Sequence, residues 1–266
     1  MRAEEALHRI AEERPLVHHI TNYVTVNLVA NVTLSTGALP VMAHAREEVA
    51  EMSALASAVV INIGTLDDVQ IEAMLLAGKS ANELGKPVVL DPVGAGATAL
   101  RTQTAERLLS ELEIAAVCGN AGEIATLAGL SAEVRGVESL AGDARAAVEH
   151  AAQALGVTAA ATGETDYVSD GTRTMAVENG HPLMGRMVGS GCASTAVVGC
   201  FAAVAGGDVE TVAGALGYFG RSGEYAAVEA AGPGTFEPRL LDALADLAGA
   251  PSGLEAAVRV REVSDG

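Results

Sequence analysis

Aromatic residues, lysines and cysteines are all scarce in this sequence, and no long hydrophobic run occurs. Only 3% of the 266 residues are aromatic and none is tryptophan, so alanine, valine, leucine and glycine have to pack the core. No apolar run approaches the roughly 18 residues of a membrane span without a glycine, so we expect no membrane-spanning segment. The charged, helix-like pattern of residues 1–14 also differs from that of a secretory signal.

The scarcity of lysine leaves the chain strongly acidic. Lys79 and Lys86 are the two lysines, and the formal net charge is -18. A chain this acidic repels nucleic acid and anionic lipid, so we exclude both as partners. The three cysteines, an odd and small number, fit a reducing cytoplasm, where we expect the protein to work.

Apolar strands alternate with helical patterns from residue 40 to residue 162. The unbroken apolar strands are typical of a parallel sheet that is covered on both faces. They are predicted at 58–64, 87–92, 114–118 and 157–162. We therefore predict an α/β fold, a single-domain three-layer sandwich with a mainly parallel central sheet and helices on both faces.

This single domain is predicted to cover 1–250, followed by a polar tail, 251–266, that we expect to fray. Within the domain, Asp170-Gly171 predicts a two-residue hairpin turn between strands at 167–169 and 172–177. Three apolar helices are then predicted at about 193–205, 209–230 and 238–247.

A glycine-rich stretch, Gly189-Ser190-Gly191-Cys192, precedes the first of these helices. Glycines at a helix start let the backbone approach a ligand, and the first helical turn has unpaired N–H groups. Such an arrangement is typical of a phosphate site built from main chain, to which Arg186 could add a fixed charge. A glycine-rich helix start made only for close packing is the alternative that these residues leave open.

Polar or acidic residues follow four of the predicted strands. These residues are Asn62, Asp91, Asn120 with Glu123, and Thr162 with Glu164. Because parallel strands end at one edge of a sheet, we expect these side chains to gather beside the glycine-rich stretch. An anion site beside carboxylates commonly handles a nucleotide with Mg²⁺, although Asp91 could instead cap the turn that follows it.

Taken together, these stretches resemble the hydroxyethylthiazole kinases, a thiamine-pathway family with the ribokinase-like fold. The similarity runs from about residue 15 to 240. The matching stretches are 15–22, 40–43, 62–65, 77–82, 91–96, 119–123, 162–164, 189–192 and 232–236. The resemblance implies ATP-dependent phosphorylation of 4-methyl-5-(2-hydroxyethyl)thiazole with Mg²⁺, in thiamine biosynthesis or salvage, by a homotrimer whose active sites lie between subunits.

The resemblance also implies which residues contact the small alcohol. Met42 and Gly189 match substrate-contacting positions, and the neighbourhood of Asn22 would complete the thiazole pocket. Residues 189–192 would bind the phosphoryl group in transfer. Cys192 stands where related sugar kinases carry an aspartate base, so its thiol could accept the substrate proton or only orient the hydroxyl.

For the nucleotide, Thr162 and Asn120 match ATP-site positions, while Asp91 and Glu123 match carboxylates that organise Mg²⁺. The family has an arginine before Gly119-Asn120 that contacts ATP phosphate, but here the residue is Cys118. A thiol supplies no fixed charge or bidentate fork. Either Arg186 or another arginine compensates, or nucleotide affinity is reduced.

Three other functions stay open to different degrees. A different small-alcohol kinase of the same fold, of pyrimidine or pyridoxal type, would share most of these motifs. A non-catalytic ligand-binding homologue is an alternative because of Cys118. A dinucleotide-binding oxidoreductase ranks low, since Gly94-Ala95-Gly96 lacks the third glycine of its fingerprint.

Cys118→Arg is expected to lower the KM for ATP, because an arginine would supply the missing fork for phosphate oxygens. Steady-state kinetics with varied ATP measures the change. An unchanged or raised KM would show that position 118 does not matter for nucleotide binding.

Overall fold

Nine strands form one sheet in the computed structural model, which describes residues 2–130 and 143–263. The strands are β1 (Leu16–Ile20), β2 (Leu39–Val41), β3 (Ala58–Asn62), β4 (Val88–Asp91), β5 (Ala116–Asn120), β6 (Thr158–Thr162), β7 (Asp166–Ser169), β8 (Thr174–Val177) and β9 (Val260–Glu262). The helices are α1 (Ala3–Glu13), α2 (Val26–Ser35), α3 (Val49–Leu55), α4 (Asp68–Glu83), α5 (Ala99–Glu111), α6 (Ala121–Leu127), α7 (Ala144–Leu155), α8 (Ser190–Ala205), α9 (Val209–Glu229), α10 (Pro233–Gly249) and α11 (Leu254–Ala257).

The sheet is mainly parallel, as predicted. Its strand order is β2-β1-β3-β4-β5-β6-β7-β8-β9. Strands β1 to β6 run parallel to one another, whereas the pairs β6–β7, β7–β8 and β8–β9 are antiparallel. The parallel part contains the unbroken apolar strands, which are buried on both faces because helices cover each side.

Helices pack on both faces of this sheet, in two hydrophobic clusters. In β3 the side chain of Val60 belongs to the cluster of α1, α2, α8, α9 and α10. Its neighbours Val59 and Ile61 point to the other face and pack with α4 to α7. Successive residues of a strand point to opposite faces, so an all-apolar strand supplies both clusters. In the part of the chain that the structure describes, no helix is long and apolar enough to cross a bilayer.

Small residues let α8 lie directly on the sheet. A Cβ atom added to Gly199 would lie 2.3 Å from Cγ2 of Val60, so only glycine fits at this contact. This close approach places the start of α8 next to the ends of β3 and β4, the strands it contacts. Because the core consists of small residues, the backbone of α8 packs close to the sheet. This close packing fixes the position of the glycine-rich helix start.

The predicted hairpin is present, but the prediction that a two-residue turn joins its strands is wrong. The strands are Asp166–Ser169 and Thr174–Val177, joined by the four residues 170–173. The carboxylate of Asp170 accepts hydrogen bonds from the N–H groups of Thr172 (2.8 Å) and Arg173 (2.8 Å). These side-chain bonds stabilise the longer loop in place of a tight turn.

The expectation that the tail frays is wrong for residues 251–263. Leu254, in α11, is 3% exposed, and β9 adds the last strand to the sheet by pairing with β8. The polar pattern misled because an edge strand buries little side-chain area and gains main-chain hydrogen bonds instead. Residues 264–266 of the predicted tail, and residues 1 and 131–142 of the predicted domain, lie outside the described residues.

Gly199→Ala is expected to lower the free energy of unfolding by about 1–3 kcal/mol, because the added methyl group overpacks the contact with Val60. Denaturant unfolding followed by circular dichroism measures it. Gly249→Ala is the matched control, since no described atom lies within 4 Å of its added Cβ. Equal stability changes in the two variants would contradict the close contact of α8 with the sheet.

Candidate active site

Four parallel strands end in polar residues at the same edge of the sheet. The register pairs Asn62 at the end of β3 with Asp91 at the end of β4. It also pairs Asn120 at the end of β5 with Thr162 at the end of β6. The predicted gathering of these strand ends is therefore present in the structure.

The glycine-rich stretch meets this edge as the start of α8. Gly189 has φ +86° and precedes the helix, whose first turn holds Ser190, Gly191 and Cys192. The first hydrogen bond into this turn runs from the N–H of Ala193 to the carbonyl of Gly189, so the three N–H groups before it lack helical partners.

The two glycines of this stretch have different roles. A Cβ added to Gly189 would lie 2.5 Å from Cγ2 of Thr25, so close packing and backbone conformation both require glycine there. At Gly191 an added Cβ would meet no described atom within 4 Å. The close-packing alternative therefore explains Gly189, whereas Gly191 borders open space.

A cavity of about 210 Å³ lies between the strand ends and α8. It is lined by Asp91, Val93, Cys118, Gly119, Asn120, Glu123, Thr162, Gly189, Gly191, Cys192 and Thr195. Carboxylates from two strand ends thus share one small space with the unpaired N–H groups of a helix. We call this space the small cavity.

Asn62 connects the carboxylate, the thiol and a second amide at the wall of the small cavity. Its Nδ2 donates to Oδ2 of Asp91 at 2.6 Å and to Sγ of Cys192 at 3.2 Å. Nδ2 of Asn22 donates to Oδ1 of Asn62 at 2.9 Å and to Sγ of Cys192 at 3.4 Å. The sulfur atom therefore accepts from two amides, which fixes its position between β1, β3 and α8.

Burial, followed by the nearby Glu123 carboxylate, raises the pKa of Asp91 to about 7. Hydrogen bonds, including the one from Asn62, act in the opposite direction and do not cancel the burial. Burial and the charge of Asp91 also raise the pKa of Cys192. At neutral pH the sulfur is therefore a thiol and not a thiolate.

Glu123 is held by main-chain groups. It forms a capping box at the start of α6, in which Oε2 accepts from the N–H of Asn120 (2.8 Å) and Oδ1 of Asn120 accepts from the N–H of Glu123 (3.0 Å). Its Oε1 accepts from the N–H of Gly94 at 2.7 Å. This fixes the carboxylate beside the turn that follows Asp91.

The donor set fits Mg²⁺, though not as an all-protein cage. No group of three or more possible ligands is present among the described residues, but Mg²⁺ usually binds through one or two carboxylates plus waters and phosphates. The charges of Asp91 and Glu123 repel each other, which contributes to the raised pKa of Asp91. A cation between them would relieve this repulsion.

A second, larger cavity of about 1070 Å³ adjoins the small one and shares Thr162, Gly189 and Gly191 with it. Its other lining residues are Gly163, Glu164, Thr165, Asp166, Glu178, Asn179, Gly180, His181, Pro182, Met184, Gly185, Met187, Ser190, Ser194, Phe219 and Gly220. Burial raises the pKa of Asp166 to about 7, although the N–H of Gly163 donates to it at 2.9 Å. We call this space the large cavity.

Neither cavity has a lysine or an arginine among its described lining residues. The side chain of Arg186, in a short 3₁₀ turn, is exposed and lines neither cavity, so it does not compensate for Cys118 in this arrangement. Cys118 lines the small cavity from β5, and burial followed by the charges of Asp91 and Asp166 raises its pKa. Position 118 therefore faces negative charge that an arginine would neutralise.

Met42, like Asn22 and Arg186, is a predicted site residue that lines neither cavity. It follows β2, the outermost strand, and packs half-buried against the cluster that contains α8. Ala43, the residue after Met42, is held by the imidazole of His18. Nε2 of His18 lies 2.6 Å from the carbonyl oxygen of Ala43, and Nδ1 lies 2.9 Å from Oγ of Ser53.

Two residues that were not predicted as site residues help to form the site. Asn62 was expected only at the strand-end edge, yet it contacts both Asp91 and Cys192. The guanidinium of Arg101 donates to the carbonyls of Val93 (2.6 Å) and Gly64 (2.7 Å), which joins the loops after β4 and β3. The sequence indicated Asn62 only through its position at the end of an apolar strand. It gave no indication of Arg101, because the acceptors of Arg101 are main-chain carbonyls, which every residue has.

Comparison with known proteins agrees with this geometry. A model of the hydroxyethylthiazole kinase family matches residues 7–249. A protein of Rubrobacter xylanophilus named hydroxyethylthiazole kinase is 72% identical over 100% of both chains. The solved structure of a hydroxyethylthiazole kinase protein from Pyrococcus horikoshii OT3 is 46% identical with a TM-score of 0.90, over 98% of this chain and 99% of that one.

A more distant structure shows the fold alone. A ribokinase-like superfamily protein from Enterococcus faecalis is 14% identical, with a TM-score of 0.66 over 92% of this chain and 94% of that one. The predicted ribokinase-like α/β fold is therefore confirmed.

Asp91→Asn is expected to raise the free energy of unfolding above pH 7 by a few kcal/mol. The amide removes a buried charge whose pKa is raised from 3.8 to about 7 in the folded protein. The folded protein binds more protons than the unfolded chain between pH 3.8 and about 7, so the charge of Asp91 costs stability as pH rises through this range. Urea unfolding without metal or nucleotide at pH 8 and pH 4 measures the difference.

Asp242→Asn, at an exposed position of α10, is the matched control and should change stability little at either pH. If Asp91→Asn were no more stable than the wild type at pH 8, the burial of an uncompensated charge at this edge would be disproved.

Proposed function

The chain belongs to the hydroxyethylthiazole kinase family, and we propose that it transfers the γ-phosphoryl group of ATP to the hydroxyl of 4-methyl-5-(2-hydroxyethyl)thiazole. The observation that carries this proposal is the small cavity, in which the N–H groups of α8 face two carboxylates. Phosphoryl transfer depends mainly on positioning and charge neutralisation, and this cavity offers both. We place the reaction in thiamine biosynthesis or salvage. The three cysteines are free, which is typical of proteins in a reducing cytoplasm, so we place the protein there.

The nucleotide extends over both cavities in this proposal. The phosphate end lies in the small cavity, where the N–H groups of Ser190, Gly191 and Cys192 meet the charge that develops on the γ-phosphoryl oxygens. The large cavity has room for the nucleoside, and Thr162 lines the passage between them. Asn120 and Cys118 contact the phosphates from the side of β5.

Asp91 and Glu123 would hold the magnesium ion of the nucleotide in this proposal. When bound there, Mg²⁺ supplies the positive charge that neutralises the β- and γ-phosphate oxygens. This charge is needed because no lysine or arginine lines either cavity among the described residues.

The substrate hydroxyl approaches Cys192. As its oxygen bonds to phosphorus, the bond from phosphorus to the ADP oxygen breaks, and the hydroxyl proton passes late to solvent water because the transition state is loose. The raised pKa of Cys192 and its two amide donors suit a group that orients the hydroxyl by hydrogen bonding. This favours orientation over proton abstraction by a preformed thiolate.

Asn22, Gly189 and Met42 form the thiazole pocket in this proposal. Met42 lies at the edge strand β2, which pairs with β1 alone in the described sheet, so one side of the pocket is open. A neighbouring subunit would close it, which supports the homotrimer with active sites between subunits. Light scattering that gives three times 26.8 kDa would support the trimer.

An ADP-release assay with hydroxyethylthiazole tests the proposed reaction. Release with this alcohol, and much less with a pyridoxal or pyrimidine alcohol, is the expected result. Release with one of the other alcohols alone would make the protein a kinase of different specificity. Release with none of them, together with thiazole binding, would make it a non-catalytic homologue. Cys118, which supplies no fixed charge for phosphate, is the reason for this alternative.

Cys192→Ala is expected to lower kcat roughly ten- to hundredfold, because the hydroxyl loses its partner in the small cavity. Steady-state kinetics at saturating ATP measures it, and Cys200→Ala, buried in the middle of α8, is the control that should leave kcat unchanged. An unchanged kcat would remove Cys192 from the mechanism. Cys192→Asp should stay active if a base is useful, and a folded but inactive variant would argue against that role.

A further inference from the structure

One wall of the large cavity is formed by residues 178–180, directly after β8. Glu178, Asn179 and Gly180 all line the cavity, and Asn179 is 5% exposed. We call residues 178–180 the cavity wall. Its position sets the width of the space in which the proposed function places the nucleoside.

The C-terminal segment, residues 253–263, bonds to this wall along its main chain. The N–H of Glu178 donates to the carbonyl of Arg259 at 3.0 Å, and the N–H of Arg259 donates to Oδ1 of Asn179 at 2.5 Å. Nδ2 of Asn179 donates to the carbonyl of Ala257 at 3.3 Å. The segment lies beyond residues 7–249 of the family model.

The carboxylate of Glu224, on α9, holds the same wall from a second direction. Its Oε1 accepts from Nδ2 of Asn179 (3.1 Å), the N–H of Gly180 (3.1 Å) and the guanidinium of Arg259 (2.6 Å). Burial alone would raise the pKa of Glu224, but bonds from Arg259, Arg221 and the wall lower it to about 2. This carboxylate is therefore charged at every working pH and joins the three elements.

Close packing leaves the wall little room to move. A Cβ added to Gly220 of α9 would lie 2.5 Å from the carbonyl oxygen of Asn179, so helix and wall touch through their backbones. Both side-chain polar atoms of Asn179 are used within the protein, by Glu224, Ala257 and Arg259. Asn179 therefore shapes the cavity and is not a free hydrogen-bonding group for a ligand.

We propose that the C-terminal segment is a positioning element for nucleotide binding, in which Arg259 and Glu224 hold the cavity wall through Asn179. Neither Arg259 nor Glu224 lines the cavity, so both act through the wall. This inference rests on the proposed function, because that proposal assigns the nucleoside to the large cavity. The proposed thiazole pocket, formed by Asn22, Gly189 and Met42, includes no residue of this wall, so we expect thiazole binding not to depend on it.

The test compares Arg259→Ala and Glu224→Gln with the wild type in three measurements. These are the dissociation constant of ADP by calorimetry, the KM values for ATP and thiazole, and the melting temperature. We expect the ADP dissociation constant and the KM for ATP to rise roughly three- to tenfold, with kcat and the KM for thiazole within about twofold. Arg259→Lys keeps a cation and should restore part of the ADP affinity.

Arg173→Ala is the matched control. Arg173 pairs with Glu262 of the C-terminal segment at 3.1 Å and with Glu210 at 3.0 Å, so its loss removes another ion pair of this segment without touching the cavity wall. We expect this variant to bind ADP like the wild type.

Unchanged ADP affinity in Arg259→Ala and Glu224→Gln, with a lower melting temperature, would overturn the inference and leave only a stabilising contact. An equal rise in the KM for thiazole would overturn it as well. A wild type that binds ADP but releases none from ATP with thiazole contradicts the proposed function alone, and the ADP affinities then still decide this inference. A wild type without ADP binding overturns both.

Discussion

The site depends on negative charge that the fold concentrates where parallel strands end. Asp91 is 4% exposed beside Glu123, and burial with this neighbouring charge raises its pKa to about 7, so its ionised form is unfavourable there. Asn62, Asn22 and Cys192 surround it with donors and a thiol, but none of them is a cation. The protein thus keeps an unfavourable charge in place at this edge of the sheet, which is typical of a functional site.

The features that sequence reasoning found are those with a local pattern. Apolar strands, a glycine pair before a helix and acids after strands predict the parallel sheet, α8 and the strand-end edge. Asn62 and Arg101 were not predicted as site residues because their partners lie far apart in sequence and include main-chain carbonyls. Strand β9 was not predicted either, because a strand of three mostly polar residues has no hydrophobic pattern that the sequence could show.

The thiol at position 118 leaves the β5 side of the small cavity without a fixed positive charge. Cys118 is 1% exposed, and the charges of Asp91 and Asp166 act on it. The main-chain N–H groups at the start of α8 lie on the other side of the cavity, and the close contact of Gly199 with Val60 holds this helix on the sheet. In the proposed reaction, phosphate binding would therefore rely on backbone geometry more than on side-chain charge.

The pairing of β9 with β8 has a consequence for the order of events during synthesis. The bond between Arg259 and Asn179 joins residues that are 80 positions apart. When residues 178–180 are synthesised, α9, α10 and β9 have not yet been made. The residues that hold the cavity wall therefore join it late, after all the parallel strands have been made, so the large cavity takes its final shape only when the C-terminal segment pairs with β8.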